Sequence, residues 1–473
     1  MTNQNNRKQI DPQVRACVDR YETMLFRGQH DYFDEDDLLD VADYYYNDMS
    51  RKDDALACLD YILALHPNSV LAVLMKAEIL FSGGRRGEAW SMVRAIDDQT
   101  DQDVLYYCGL FSLEEGKLND AEAYYRKAYF AQAGGGTELF VQIVWDYLDR
   151  GITDGLDRWF EILPQAYRSE TGVLEARATY LQMCGKYTEA IAVEEKLIDS
   201  DPYNVAYWVA ISKLYFQTDN YAKAHESIEY ALDISPADGD ALLVAASVAV
   251  VQGNHTEANS LFEKYISIDD KNGMAYFDNA KTLAELKRYD EALVQFNYAL
   301  KYSGDDSEAK AAIYNEIAAT YWDKEDLQQA TLYNEKARKA GIGDEYYYSR
   351  KLAIELTQGE KTHVEEYTDI LLRATIAKQS DPSGVMLLLT HFKEYRMAKA
   401  LASATEAGNA EYRYSCCPCL AFIALHEKDI DSFFRNLKYA VEYAPDDTAR
   451  LLSAVFPPEM DVKDYYNYAL ANY

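Results

Sequence analysis

Alanine recurs along this chain at a fixed interval. Ala190, Ala224, Ala258 and Ala292 follow one another at steps of 34 residues, and Ala55 precedes Ala89 by the same step. Ala121, Ala330 and Ala398 extend the column with small departures. A period of this size marks a stacked repeat, in which each unit packs mainly on its neighbours and one core runs along the array. Length alone would predict about three globular domains from 473 residues. The repeat predicts one continuous array instead.

Four in-phase units are Thr171–Asn204, Val205–Asp238, Gly239–Asn272 and Gly273–Asp306. Each holds two apolar-periodic stretches of helical length divided by a short polar turn. In Val205–Asp238 the first stretch carries Trp208, Ile211, Leu214 and Tyr215 on one helix face. Asp219 and Asn220 form the turn, and Ala224, Ile228, Ala231 and Leu232 face inward from the second stretch. Pro236 ends it, having no amide hydrogen to continue the ladder.

The small residue recurs one helix earlier as Ala77, Gly109, Ala178, Ser212, Ala246, Ala280, Ala318 and Ala421. Glycine recurs at the turn as Gly84, Gly116, Gly185, Gly253 and Gly359, and proline at the unit's end as Pro67, Pro202, Pro236 and Pro445. Two antiparallel helices approach closely only where side chains are small, with bulky neighbours filling the space beside them.

These columns resemble the tetratricopeptide repeat family over roughly residues 36 to 447, as about twelve units. The match is Trp208, Ser212, Tyr215, Ala224, Ile228, Ala231 and Pro236 in one unit. In later units it is Leu242, Ala246, Ala258, Phe262 and Tyr265, then Tyr276, Ala280, Leu283, Ala292, Phe296 and Ala299. The alanine column is interrupted by Gly155, Val364 and Phe433. The resemblance implies an all-α fold: a right-handed α-solenoid superhelix of antiparallel helix pairs.

The expected organisation is a disordered start and capping helix over 1–35, repeats over 36–133, 137–306 and 307–447, and capping helices over 448–473. Asp11-Pro12 has the chemistry of a helix start, and Met1–Gln9 are polar. Gly134-Gly135-Gly136 reads as a loose turn or as a hinge. The step from Ala292 to Ala330 is four residues long of the period, and Ser303–Ser307 reads as a longer loop.

The net charge of −32, from 79 acidic and 47 basic residues, argues against nucleic acid, whose phosphates are neutralised by Lys and Arg. No apolar run is long enough for a membrane span. The N-terminal ten residues lack a signal peptide's apolar core, so a cytoplasmic protein with reduced thiols is expected. Cys416-Cys417-Pro418-Cys419 reads as buried packing, because no second Cys or His pair completes a zinc site. No phosphate loop, dinucleotide fingerprint or H-E-x-x-H motif is present. No catalytic residue, metal or cofactor is expected.

In the resembling family the first helix of each unit lines a concave groove. Carried onto this sequence, the groove residues are Leu71, Leu74, Met75, Glu78 and Phe81, then Asp103, Tyr106, Tyr107, Leu110 and Leu113. Phe140, Val141, Val144 and Tyr147 follow, then Val209, Lys213, Phe216, Phe277, Lys281, Asn315, Trp322 and Arg350. An exposed apolar and aromatic stripe marks an interaction site. The alternatives are burial between adjacent first helices, or a homo-oligomer. Lys213, Lys281, Asn315 and Arg350 are too dispersed to form the family's carboxylate clamp.

The reading is therefore a non-catalytic scaffold or adaptor that binds a protein or peptide segment in that groove. Two alternatives stay open. One is a helical-toroid (α/α) enzyme, such as a glycoside-processing hydrolase, with paired central carboxylates. The other is an acidic chaperone or regulator that holds a basic client through the acidic stretch Asp31–Asp54.

Overall fold

The computed structural model describes residues 12–28, 31–47, 51–131, 136–360, 362–378, 381–408, 412 and 414–472. Among them every regular element is helical. The chain forms two units, residues 1–224 and 225–473. The expectations for Met1–Gln9 and for most of Gly134-Gly135-Gly136 lie outside the described residues. Gly136 is described, as the N-cap of a helix.

In the first unit, α1 (Pro12–Arg27) precedes the pairs α2 (Glu35–Asn47) with α3 (Lys52–Leu65) and α4 (Val70–Ser82) with α5 (Arg86–Arg94). Next come α6 (Gln102–Glu114) with α7 (Leu118–Ala131), α8 (Thr137–Leu148) with α9 (Leu156–Ile162), and α10 (Thr171–Met183) with α11 (Tyr187–Ser200). α12 (Val205–Gln217) follows, and α13 (Tyr221–Ile234) carries the chain into the second unit.

The second unit continues with α14 (Gly239–Val251) and α15 (His255–Ile268), α16 (Gly273–Glu285) and α17 (Tyr289–Tyr302), and α18 (Ser307–Asp323) and α19 (Leu327–Ala340). Then come α20 (Asp344–Gln358) and α21 (Val364–Lys378), α22 (Ser383–His391) and α23 (Tyr395–Gly408), and α24 (Cys417–Glu427) and α25 (Ile430–Tyr443). α26 (Pro445–Leu452) and α27 (Tyr465–Asn472) close the chain, burying Leu452, Phe456 and Tyr465 beside Phe433 and Leu437. Within each unit successive helices pack on one another, the arrangement of an α-solenoid.

The alanine column is the seam of the pairs. Ala55, Ala89, Ala121, Ala190, Ala224, Ala258, Ala292, Ala330 and Ala398 are all fully buried. Opposite them the small-residue column is equally tight. A Cβ on Gly109 would lie 2.6 Å from Cδ1 of Tyr125, so no larger residue fits while that ring stays in place. Ser212 uses its small size differently: its hydroxyl donates to the Ala224 carbonyl at 2.7 Å.

Side-chain caps start many of the first helices. Asn204, Asp238, Asn272 and Asp306 each accept a hydrogen bond from first-turn amides. Each stands at the last position of its repeat, a fourth column that satisfies otherwise orphaned donors.

Two irregularities differ from the sequence reading. The four residues added before Ala330 do not lengthen the loop. They extend α18 to 17 residues, against 13 in α14 and α16. Gly155 does not substitute for a packing alanine. It has φ 87° and caps α9 in the left-handed region, and Trp159 fills the core beyond it.

Among the described residues, the turns of most pairs hold a residue at positive φ. Gly84, Gly116, Gly185 and Gly253 supply it, whereas Asp219, Lys287, Glu325, Lys393 and Lys428 adopt it in other pairs. A side chain there crowds the following carbonyl. Lys287→Gly is expected to stabilise the chain by about 0.5–1 kcal/mol, read as a higher urea midpoint. A lower midpoint would mean that the lost Lys287 side chain contributes more than the strain costs.

Candidate functional site

The predicted groove residues separate into two sets. Leu74, Phe140 and Val144 are fully buried, and Phe81, Tyr106 and Leu110 are buried as well. These six are core residues rather than groove lining. Phe81 stacks on Phe111 with centroids 4.3 Å apart, and Phe140 meets the Phe160 ring edge-on at 5.6 Å. Leu113, Tyr147 and Val209 are buried too. Because α4 packs against α6 and α8 against α10, the sides of each first helix are covered by its neighbours.

What stays open is a narrower strip. Leu71 is 44% exposed, Asp103 is exposed, and Met75, Glu78, Tyr107 and Val141 are half-buried. In α12 and the second unit, Lys213 and Lys281 are exposed, while Phe216, Phe277, Asn315, Trp322 and Arg350 are half-buried. Lys281 lies over the Phe277 ring at 5.5 Å, and Arg350 lies 5.8 Å from the Trp322 ring centroid.

A tyrosine–carboxylate network underlies the strip in the first unit. Asp146, on α8, accepts hydrogen bonds from Tyr106 of α6 at 2.9 Å and from Tyr125 of α7 at 2.8 Å, both at Oδ2. Arg150, just beyond α8, donates to the Asp146 carbonyl at 2.6 Å and forms an ion pair with Glu114 at the end of α6. Burial pushes the Asp146 carboxyl up to about 6, against the pull of the two hydroxyls and the guanidinium.

Beside this network the Tyr46 hydroxyl donates to Glu78 at 3.3 Å, and Tyr107 opposes the rise in that carboxyl's pKa. Burial raises the Glu78 pKa, with the Asp146 charge adding to the effect. The Tyr106 and Tyr107 rings meet edge-to-face at 5.5 Å, which joins the two halves. The outcome is a rigid face of rings and carboxylates that offers contact area and hydrogen-bond acceptors.

Asp146, Tyr125, Arg150 and Tyr46 were not picked out from the sequence. The available signal was Asp146 itself, the one polar residue in the run Ile143–Leu148 apart from the Tyr147 hydroxyl.

Among the described residues no group of three or more His, Cys, Asp or Glu is placed to hold a metal ion. Cys416, Cys417 and Cys419 are buried, and burial pushes the Cys419 thiol up to about 12. That is the behaviour of a packed, protonated side chain. No helix among the described residues is long and apolar enough to cross a membrane. In the acidic stretch Asp31–Asp54, Glu35, Asp36 and Asp37 occupy the first turn of α2, and Asp53 and Asp54 that of α3. There they complement the helix dipole. Arg51 links Asp54 and Glu22, each at 2.8 Å. Asp48 lies outside the described residues.

Residues 209–273 and 249–314 match the tetratricopeptide repeat family. No curated protein matches the chain. Similar solved structures include a tetratricopeptide repeat protein from Parabacteroides merdae ATCC 43184, 18% identical over 54% of this chain and 98% of that one, with a TM-score of 0.41. YrrB, described as a TPR protein with an unusual peptide-binding site, is 19% identical over 42% of this chain and 98% of its own, with a TM-score of 0.35. A chain of the APC/C hetero-tetramer Cut9-Hcn1 is 15% identical over 97% of this chain and 93% of its own, with a TM-score of 0.37.

Proposed function

We propose, from the premise that this chain belongs to the tetratricopeptide repeat family, that it is a non-catalytic adaptor. Arrays of this family bind protein or peptide partners. Its partner would be an extended or helical peptide segment seated on the first-helix strip of the first unit. Leu71, Met75 and Tyr107 supply apolar contact, and Glu78 supplies an acceptor for a donor on the peptide.

The observation that carries this reading is the fixed geometry beneath the strip. Tyr106 and Tyr125 are tied to Asp146, Tyr46 is tied to Glu78, and the Tyr107 ring packs edge-to-face on Tyr106. A surface whose side chains are already ordered loses little entropy when a ligand lands on it. Tyr106 belongs to the support and Tyr107 to the contact surface.

A random peptide library panned on the full chain tests this. Enriched peptides are expected on the wild type and lost on Met75→Asp combined with Tyr107→Ala. The exposed substitution Leu332→Asp, in the other unit, should leave enrichment unchanged. Equal enrichment on all three proteins would remove the strip from consideration. Thermal melts of the variants separate lost binding from lost folding.

A further inference from the structure

A cleft lies in the other unit, between two consecutive second helices. It has a volume of about 320 Å³ and opens between α13 and α15. Ile228 and Leu232 of α13 and Leu261 of α15 are its apolar lining. Ala245 of α14 also lines it. The rim carries Glu229, Asp233 and Glu257. Residues 229 and 233 stand one turn apart on α13, so their carboxylates lie along one side of the cleft.

No Lys or Arg forms an ion pair with any of these three carboxylates among the described residues. Glu229 meets only His225, whose Nε2 lies 3.5 Å from Oε1. The cleft therefore combines apolar lining with negative charge that no Lys or Arg among the described residues pairs.

We propose that this cleft takes a lysine or arginine side chain from a basic amphipathic segment of a partner protein. The aliphatic stem lies on Ile228, Leu232 and Leu261, and the cation reaches the rim carboxylates. Long basic side chains are built for this division, with an apolar stem and a charged head. A neutral apolar residue would leave the rim carboxylates partly desolvated and unpaired, and an acidic one would add repulsion. The sign of the rim thus selects the partner, and the apolar lining sets the side-chain length. This surface is separate from the strip on Leu71, Met75 and Tyr107, and neither reading depends on the other.

Fluorescence anisotropy on the full chain with two labelled synthetic peptides tests the assignment. One peptide alternates lysine and leucine, and the other alternates glutamate and leucine. The lysine peptide is expected to bind and the glutamate peptide not. Asp233→Asn with Glu257→Gln should weaken lysine-peptide binding about tenfold or more. Neutralising two exposed carboxylates elsewhere, Asp97→Asn with Asp305→Asn, should change it by less than about twofold. Equal weakening by the two neutralised pairs would reduce the effect to the chain's overall charge and overturn the proposal. Comparable binding of the glutamate peptide would overturn it as well. Ala245→Met, which enlarges a lining residue, should also weaken binding; if it does not fold, the rim variants decide alone.

Discussion

Replacing Glu194 with glutamine is expected to stabilise this chain by about 2–3 kcal/mol at pH 8 and to leave it nearly unchanged at pH 4. Glu194 lies on α11, is 7% exposed, and has no hydrogen-bond partner at Oε2. Burial, with the charge of Glu175 added, pushes its pKa from an ordinary 4.5 up to about 7. Glu175, on α10, accepts the Tyr207 hydroxyl of α12 at 2.7 Å. The folded state thus holds a proton that the unfolded chain releases near 4.5. Stability from the neutral form is fully present below that value and is lost as pH rises through about 7. The uncharged amide removes the penalty and can donate toward Glu175. Thermal melts of wild type and Glu194→Gln at the two pH values measure the difference. Parallel curves, with the same gap at both, would mean that Glu194 ionises as readily in the folded chain as in the unfolded one.

Asp146 separates two roles of a buried carboxylate. Asp146→Leu is expected to cost about 3–5 kcal/mol, because the Tyr106 and Tyr125 hydroxyls lose their acceptor inside the helix stack. Asp146→Asn keeps an acceptor oxygen and discards the charge. It should lie within about 1 kcal/mol of wild type near pH 7 or above it. The direction follows from the raised pKa: the carboxyl's neutral form favours folding below its ordinary 3.8, and that advantage disappears as pH rises through about 6. Urea unfolding of both variants decides the matter. A leucine variant as stable as the asparagine variant would show that the hydroxyls find other partners.

The repeat was legible because its cause is local and steric. A helix pair needs a small side chain at each crossing, so most repeats leave an alanine in the same place, and all nine of those alanines are buried. The binding strip was legible only in part. Leu74, Phe140 and Val144 look like exposed apolar residues when one first helix is considered alone. Contact with adjacent first helices buries them, and that contact depends on the angle at which repeats stack. Asp146 escaped notice for a related reason. Its partners, Tyr106 and Tyr125, are 40 and 21 residues away, and no periodic pattern links a carboxylate to hydroxyls on two other helices. The turn column was read as glycine, yet Lys287 and Glu325 adopt the same backbone. Conformation there is imposed by the stack and only favoured by composition.

The extended α18 bears on how such a chain changes length over generations. Four inserted residues turn a helix by about 400°, so the following side chains come back to within about 40° of their former direction. The insertion adds about 6 Å of rod and leaves the inward-facing side almost where it was. Three residues would swing that side by about 60° the other way, and two by about 160°. Gene insertions inside a helix of this array are therefore filtered by rotation: those near a whole turn preserve the crossing alanine, and the others turn it out to solvent. A designer who needs a longer arm on this scaffold has the same unit of length available.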